Sequence, residues 1–150
     1  MSTLRRRIAS DRGETLLELM VAMLVLSVAA VAIVTGMTLS IKVSDMHRKQ
    51  ATASAAVRDY AEWIESQVAA GGYVPGTASY AAYPSAPSGY AATVTSKQCW
   101  SGSAWATCTA ANDVGVQQLT LQIASSDGRA SEKLVVVVRK PCAPGPTTCT

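Results

Sequence analysis

A long apolar run followed by an amphipathic stretch is the main pattern in the first half of the chain. Leu19 to Ile41 comprises 23 residues without a formal charge. As a helix, this run spans roughly 34 Å, which is enough to cross a bilayer core of about 30 Å. Small and hydroxyl-bearing residues such as Ser27 and Gly36 interrupt the run, and such side chains suit close helix–helix contact. The pattern predicts a transmembrane helix over residues 14–41.

The helical pattern continues past the apolar run and becomes amphipathic. Residues 42–70 contain no Gly or Pro and are rich in good helix formers. Apolar side chains recur at helical spacing at Val57, Tyr60, Ala61, Ile64 and Val68, and charged ones occupy the other side at Arg58, Asp59, Glu62 and Glu65. Gly71-Gly72 is typical of a helix C-terminus. The sequence therefore predicts one helix from about Thr15 to Ala70, with Trp63 packed under a sheet.

Residues 71–150 predict a loop followed by an antiparallel sheet. Pro, Gly, Ala and Ser dominate Tyr73–Gly89, where three tyrosines (Tyr73, Tyr80 and Tyr83) serve either as loop anchors or as a subunit contact. Strand patterns occupy Tyr90–Ser96, Ala104–Thr109, Val116–Ala124 and Leu134–Arg139. Asp127-Gly128 predicts a hairpin turn. The run Val135–Val138 is apolar on both faces, which predicts a central strand covered on both sides. The predicted fold class is α+β, a long N-terminal helix packed on a small antiparallel β-sheet.

The formal charge of +3 is concentrated at the N-terminus. Residues 1–13 contain Arg5, Arg6, Arg7 and Arg12 against Asp11, whereas the rest of the chain has nine basic and nine acidic residues. Arginines that precede a membrane helix stay in the cytoplasm by the positive-inside rule. We therefore expect a single-pass protein with a cytoplasmic N-terminus and an exterior C-terminal domain. The basic balance reflects topology, and no nucleic-acid-binding stripe is evident.

The junction between the arginines and the apolar run has the most informative sequence. It reads Gly13, Glu14, Thr15, Leu16, Leu17, Glu18 and Leu19. This resembles the class III signal of type IV pilins and pseudopilins, which a membrane peptidase cleaves after the glycine. Cleavage would remove residues 1–13 as a basic leader and leave Glu14 at the mature N-terminus. Many major pilins have Phe at the position of Glu14 and a helix-kinking Pro in the membrane half. This chain has neither, which favours a minor pilin or a pseudopilin.

The resemblance also implies a set of partners and a route of assembly. The prepilin peptidase/methyltransferase would methylate the new amine of Glu14, and Glu18 would pair with the N-terminal amine of a neighbouring subunit. Before assembly the helix would lie in the lipid bilayer of the inner membrane. An inner-membrane assembly platform and other pilin subunits would then place the protein in a cell-surface or periplasmic filament, either a pilus or a secretion pseudopilus. No cofactor is implied.

Two other targeting signals fit the N-terminal residues less well. Ala30-Val31-Ala32 resembles the cleavage site of an ordinary secretory signal, and Arg5-Arg6 suggests a twin-arginine signal. Both signals conflict with Glu14 and Glu18, which place acids where such a signal is basic or apolar. A membrane-anchored exterior binding module that does not polymerise is the alternative function.

Four cysteines in the predicted exterior domain indicate two disulfides, since an even number outside the cytoplasm usually pairs. They allow three pairings, of which the local one, Cys99–Cys108 with Cys142–Cys149, is the simplest. A zinc site is disfavoured because the spacings lack a tight Cys-x2-Cys pair. The tail that contains the second pair resembles in position the C-terminal disulfide loop of some pilins. Trp100 and Trp105 lie inside the first cysteine loop and either cover the edge of the core or contact a partner.

No combination of residues in the sequence predicts catalysis. The single histidine, His47, lies among Arg48 and Lys49 near the predicted membrane edge, where we expect it to be solvated or to contact lipid headgroups. No nucleophile elbow, Walker loop or His-Glu-x-x-His motif is present. A structural or binding role is therefore expected, with no enzymatic activity and no metal.

Overall fold

The structure is a computed structural model and describes residues 11–142. Its elements are helix α1 (Asp11–Ala69) and strands β1 (Tyr90–Trp100), β2 (Trp105–Thr107), β3 (Val116–Ser125) and β4 (Ser131–Arg139). The strands form one antiparallel sheet in the order β2-β1-β3-β4. The predicted α+β class, with a long N-terminal helix packed on a small antiparallel sheet, is confirmed. The chain divides into two compact units at Asp45/Met46, and the described part of the first unit is helix alone.

The core of the second unit lies between the C-terminal part of α1 and one face of the sheet. Tyr60 and Ile64 are fully buried on the helix, and the predicted stripe of Val57, Ala61 and Val68 is buried beside them. On the sheet side, alternate residues of β3 fill the core: Leu119, Leu121 and Ile123. The four charged residues predicted on the opposite side of the helix are exposed. The buried side chains repeat about every 3.6 residues in α1 and every 2 residues in β3, and the two sets pack together in a single core.

Two glycines end the helix as the sequence predicts. The Gly72 N–H donates to the Gln67 carbonyl at 2.8 Å, and the Gly71 N–H donates to the Val68 carbonyl at 3.0 Å. This is the hydrogen-bond pattern of a Schellman motif, which requires a left-handed residue, and Gly71 has φ +92°. The motif turns the chain out of the helix and into the loop that precedes β1.

The hairpin of β3 and β4 has the predicted register but not the predicted place in the sheet. Val116 pairs with Arg139 and Ala124 pairs with Ser131, with the Asp-Gly pair inside the connecting turn. However, β4 is an edge strand, so the prediction that the valine run is central is wrong. Val135 and Val137 are 53% and 54% exposed, whereas Val138 is buried. Because β-branched residues favour any strand, a valine run does not distinguish an edge strand from a central one.

The three loop tyrosines anchor residues 70–89 to the second unit. The Tyr80 hydroxyl donates to Gln117 Oε1 at 2.9 Å, and the Tyr73 hydroxyl donates to Asp113. Tyr83 stacks on Tyr60 with ring centroids 5.0 Å apart. The same aromatic cluster contains Trp63, which contacts both Tyr60 and Tyr83. The anchor interpretation of these tyrosines is thus confirmed.

The first cysteine pair is bonded as predicted. Cys99 and Cys108 form a disulfide that closes the loop between β1 and the residues after β2. The predicted pairing of Cys142 with Cys149 lies outside the described residues, because the description ends at Cys142. Inside the first loop, Trp100 pairs with Trp105 across the two strands.

Candidate processing and assembly site

The predicted assembly residues lie on the first unit, where the helix exposes its apolar side chains. Leu16, Leu17 and Leu19 are 60%, 68% and 59% exposed, and Glu18 is exposed among them. Glu18 is the one charged residue between Thr15 and Ile41. By length and composition, α1 can cross a membrane. The apolar side chains of residues 15–41 therefore need a cover that the described part of this chain does not supply.

Three hydroxyl groups in the apolar part of α1 are satisfied within the helix itself. Ser27 Oγ donates to the Leu24 carbonyl at 2.8 Å, and Thr35 Oγ1 donates to the Val31 carbonyl at 2.8 Å. Thr38 makes the equivalent bond to Val34 at 2.9 Å. An unsatisfied polar group in hydrocarbon costs several kcal/mol, so these bonds suit the helix to lipid. Glu18 differs because a carboxylate cannot be satisfied by donating to a helix carbonyl.

The predicted cleavage point lies at the start of the described helix. The backbone of Gly13 and Glu14 is helical, within Asp11–Ala69. The leader arginines Arg5, Arg6 and Arg7 and the side chain of Glu14 lie outside the described residues. The structure therefore places the backbone at the predicted cut, while the processing roles of Gly13 and Glu14 remain predictions.

Comparison with known proteins identifies this segment. A family model described as the prokaryotic N-terminal methylation motif matches residues 8–34. The chain carries the type IV pilin and pseudopilin signal. Searches of curated proteins and of solved structures found no significant match. The match covers Gly13, Glu14 and Glu18 together with most of the apolar run, and it supports a pilin-like or pseudopilin subunit with a membrane anchor.

A polar cluster in the second unit escaped sequence analysis. Asp113 accepts hydrogen bonds from Tyr73, from the Gly76 N–H at 2.8 Å and from Gln117 Nε2 at 2.8 Å. Burial raises the pKa of Asp113, but the hydrogen bonds from Tyr73, Gly76, Gln117 and Gly115 together outweigh it, so the pKa lies below its usual value. The pKa of Tyr73 is raised by burial and by the bond to Asp113. This cluster holds the loop after the helix against the sheet.

Lys97 completes the same cluster. Its Nζ donates to the carbonyls of Val74 at 2.6 Å and Ala78 at 2.9 Å, and it lies 5.3 Å from the centroid of the Tyr80 ring. Burial lowers the pKa of Lys97, and the charge of Asp113 opposes that shift. Since these groups bond to one another and to the backbone, we assign them to stability of the loop.

A second missed contact joins the helix to the β3–β4 turn. Lys49 Nζ forms an ion pair and hydrogen bond with Asp127, and the Tyr90 hydroxyl donates to the Lys49 carbonyl at 3.2 Å. The hydrogen bond from Lys49, followed by those from Ser125 and Arg129, lowers the pKa of Asp127. The sequence analysis named Lys49 only as a neighbour of His47 near the predicted membrane edge, because the partner of Lys49 lies 78 residues away. In the structure Lys49 fixes the hairpin turn.

The two tryptophans of the disulfide loop belong to the second unit and form an aromatic pair. Their ring centroids are 5.4 Å apart at 63°, an edge-to-face arrangement. Among the described residues, neither tryptophan belongs to the buried cluster or to the side chains packed on it. His47 is exposed on α1. Within residues 11–142, no group of three or more His, Cys, Asp or Glu side chains is placed to hold a metal ion.

Proposed function

We propose that this protein is a structural subunit of a type IV pilus-like or type II secretion-like filament, cleaved after Gly13 and assembled through its N-terminal helix. The proposal rests on the single carboxylate of Glu18 within residues 15–41 of α1, which are otherwise uncharged and are exposed. The methylation motif overlaps this segment. In the bilayer, lipid covers these side chains. In the filament, the helices of neighbouring subunits replace the lipid.

The electrostatics of Glu18 explain how such a helix would find its register. A charged residue at the centre of a membrane helix costs about 2.5–3.5 kcal/mol on insertion scales, and the cost is lower near the end of the span, where Glu18 lies. A partner charge at about 4 Å contributes roughly 4 kcal/mol at an effective dielectric of 20. The N-terminal amine that cleavage creates on a neighbouring subunit is such a partner. Apolar packing then supplies bulk attraction, and the charge pair selects one axial position.

Many major pilins have Phe at the position of Glu14 and a helix-kinking proline in the membrane half of the helix. This chain has neither, which favours a minor subunit or a pseudopilin. A second acid next to the amine competes with Glu18 for the same charge. This competition would weaken incorporation relative to a subunit with an apolar residue at that position. A Glu14→Phe variant should therefore enter filaments more readily than the parent chain, and an unchanged yield would contradict this part of the proposal.

Intact mass and N-terminal sequencing of the protein from host membranes test the processing step. We expect a chain that begins at Glu14, with or without one added methyl group. A Gly13→Leu variant should retain the leader, and Gly36→Leu is the matched control, since it places the same side chain outside the cleavage point. An N-terminus at Met1 or Ser2 in the parent protein would favour a permanent anchor, and one near Ile33 would indicate an ordinary secreted protein.

Incorporation into sheared or purified filaments tests the assembly step. We expect Glu18→Gln to be cleaved normally but to be lost from filaments, because the amide keeps the shape and removes the charge. Glu62→Gln, an exposed acid on the second unit, is the matched control. Normal incorporation of Glu18→Gln would remove the charge pair from the mechanism. A parent chain that is cleaved but never found in filaments would reject the filament function itself.

A further inference from the structure

The face of the sheet that points away from the core has an unusual chemical composition. In β1 and β3 the residues on this outer face alternate with the buried ones and pair across the two strands: Thr93 with Gln122, Ser96 with Thr120, and Gln98 with Gln118. Each of these six side chains carries an uncharged hydroxyl or amide group. Along β3 the three rows extend for about 14 Å. The outer face of these two strands is therefore an uncharged surface of hydrogen-bonding groups.

An aromatic pair bounds one end of this face. Trp100 follows Gln98 at the two-residue spacing of a strand, and Trp105 lies opposite Trp100 on β2. Successive side chains of a strand point to opposite faces of the sheet. Since Cys99 is fully buried on the core side, its neighbours Gln98 and Trp100 both point to the outer face. The disulfide from Cys99 to Cys108 ties the end of β1 to the residue that follows β2, next to the pair. Both indoles are partly exposed, and in an edge-to-face pair one ring leaves its flat face available.

The two central amides of the outer face have no partner within the part of the chain that the structure describes. Within residues 11–142 the side chains of Gln98 and Gln118 make no hydrogen bond, whereas Gln122 donates to Ser131 Oγ at 2.7 Å. An amide offers two donors and one acceptor with two lone pairs. Two adjacent and uncommitted amides next to exposed indoles form a set of groups that can bind a ligand without disturbing the fold.

Charge is confined to the margin of this face. Lys133 and Arg139 lie on β4 at its two ends, beside the exposed Val135 and Val137. Neither β1 nor β3 presents a charged side chain on the outer face. A surface that binds nucleic acid or an anionic glycan places cations at its centre. The distribution found here favours a ligand that is neutral and rich in hydroxyl groups.

We propose that the outer face of the sheet binds a neutral polysaccharide chain. The C–H face of a pyranose ring packs on an indole, and its hydroxyls exchange hydrogen bonds with Gln98, Gln118 and the neighbouring Thr and Ser side chains. A linear chain of β-linked sugars is an extended ribbon, which fits along the rows of hydroxyl and amide side chains on β1 and β3. The two exposed valines add apolar contact along β4. This role is separate from filament assembly, since it uses the second unit only.

Retention of the full-length protein, solubilised in detergent, on microcrystalline cellulose and on chitin tests the proposal. Intrinsic tryptophan fluorescence with soluble cellohexaose and chitohexaose gives a second readout. We expect retention on at least one probe, with about tenfold weaker binding for Trp100→Ala and for the Gln98→Ala/Gln118→Ala double variant. The double variant leaves the core and the disulfide intact, so its loss of binding is not a folding defect. Because the assay uses detergent-solubilised protein and not filaments, the result stands whether or not the chain enters filaments.

Matched controls separate this site from the rest of the protein. Trp63→Phe removes a tryptophan from the aromatic cluster of the core, and Gln67→Ala removes an exposed amide from α1. Both should bind the probes like the parent protein. The proposal is overturned if the parent protein binds neither neutral probe or only heparin, or if the controls lose binding as the site variants do. Self-association that the same site variants abolish, without polysaccharide binding, would assign the face to a second copy of the chain.

Discussion

Two parts of the same helix follow different rules. Over residues 15–41 the apolar side chains surround the helix on all sides, and all of them are exposed. Over residues 53–68 the apolar side chains form one stripe, and the sheet and loop of the same chain cover it. The first pattern is that of a helix whose cover is external, as in lipid or among other helices. The second is that of an ordinary core. The comparison separates residues that act in folding from residues available for assembly.

The largest contrast is expected from deleting the same side chain in each part of the helix. Ile64 is fully buried, whereas Ile33 is 59% exposed. Ile64→Ala should lower the free energy of unfolding of the second unit by about 2–5 kcal/mol, because it removes buried methylenes and leaves a cavity. Ile33→Ala should leave that value unchanged within about 0.5 kcal/mol. Denaturant unfolding of the detergent-solubilised protein, followed by near-ultraviolet circular dichroism, measures both. Equal losses of unfolding free energy in the two variants would contradict the distinction between a buried stripe and an externally covered helix.

Removing the disulfide should give the next largest loss of stability, and it tests a contact that lies wholly within the second unit. Replacing both Cys99 and Cys108 by Ser should destabilise the second unit by about 2.5 kcal/mol, since the open loop regains conformational freedom when the chain unfolds. The same change should separate the tryptophan pair and alter its exciton signal in circular dichroism. Reduction of the parent protein is the chemical control. A stability loss without any change in the tryptophan signal would show that the aromatic pair does not depend on the disulfide.

Titration of Asp113 has a smaller effect with a defined sign. Its pKa in the folded state is below the usual value, so its contribution to stability is present above about pH 4 and disappears as pH falls through the folded pKa. Asp113→Asn should cost about 1–2 kcal/mol at pH 7, because the donors on Tyr73, Gly76, Gly115 and Gln117 lose a charged acceptor. It should also make the decline in stability below pH 4 less steep. The exposed Asp59→Asn is the control and should keep the parental slope. A parental slope in Asp113→Asn would assign acid sensitivity to another carboxylate.

Sequence reasoning succeeded where neighbouring residues determine the structure. The stripe from Val57 to Val68, the glycine stop and the alternation in β3 are local patterns with fixed periods, so their elements could be predicted. The valine run of β4 led to the wrong prediction of a central strand. Its composition indicates that the segment forms a strand, but it does not indicate how many strands lie beside it. The Asp113 cluster was invisible because Tyr73 and Gly76 lie about 40 residues away along the chain. The predicted partner of Glu18 lies on another molecule, and for that reason only the motif, not the fold of this chain, points to its role.

The smallest effects come from two glycines of the same helix, for which we expect opposite signs. Gly36 lies in the apolar half, where an added Cβ meets nothing within 4 Å. Gly36→Ala should therefore stabilise the helix locally by up to about 1 kcal/mol, because Ala loses less conformational freedom. Gly71 ends the helix at φ +92°, so Gly71→Ala should destabilise the second unit by about 1 kcal/mol.

Hydrogen exchange resolves these two glycine effects in one experiment. Amides around Gly36 should exchange more slowly in the Gly36→Ala variant, and those of Gly71 and Gly72 should exchange faster in the Gly71→Ala variant. Each variant serves as the control for the other, because the substitution is the same and only its place on the helix differs. Faster exchange around residue 36 after Gly36→Ala would show that this glycine is required by the helix. If the Gly36→Ala protein also enters filaments normally, local weakness at this point is not needed for assembly.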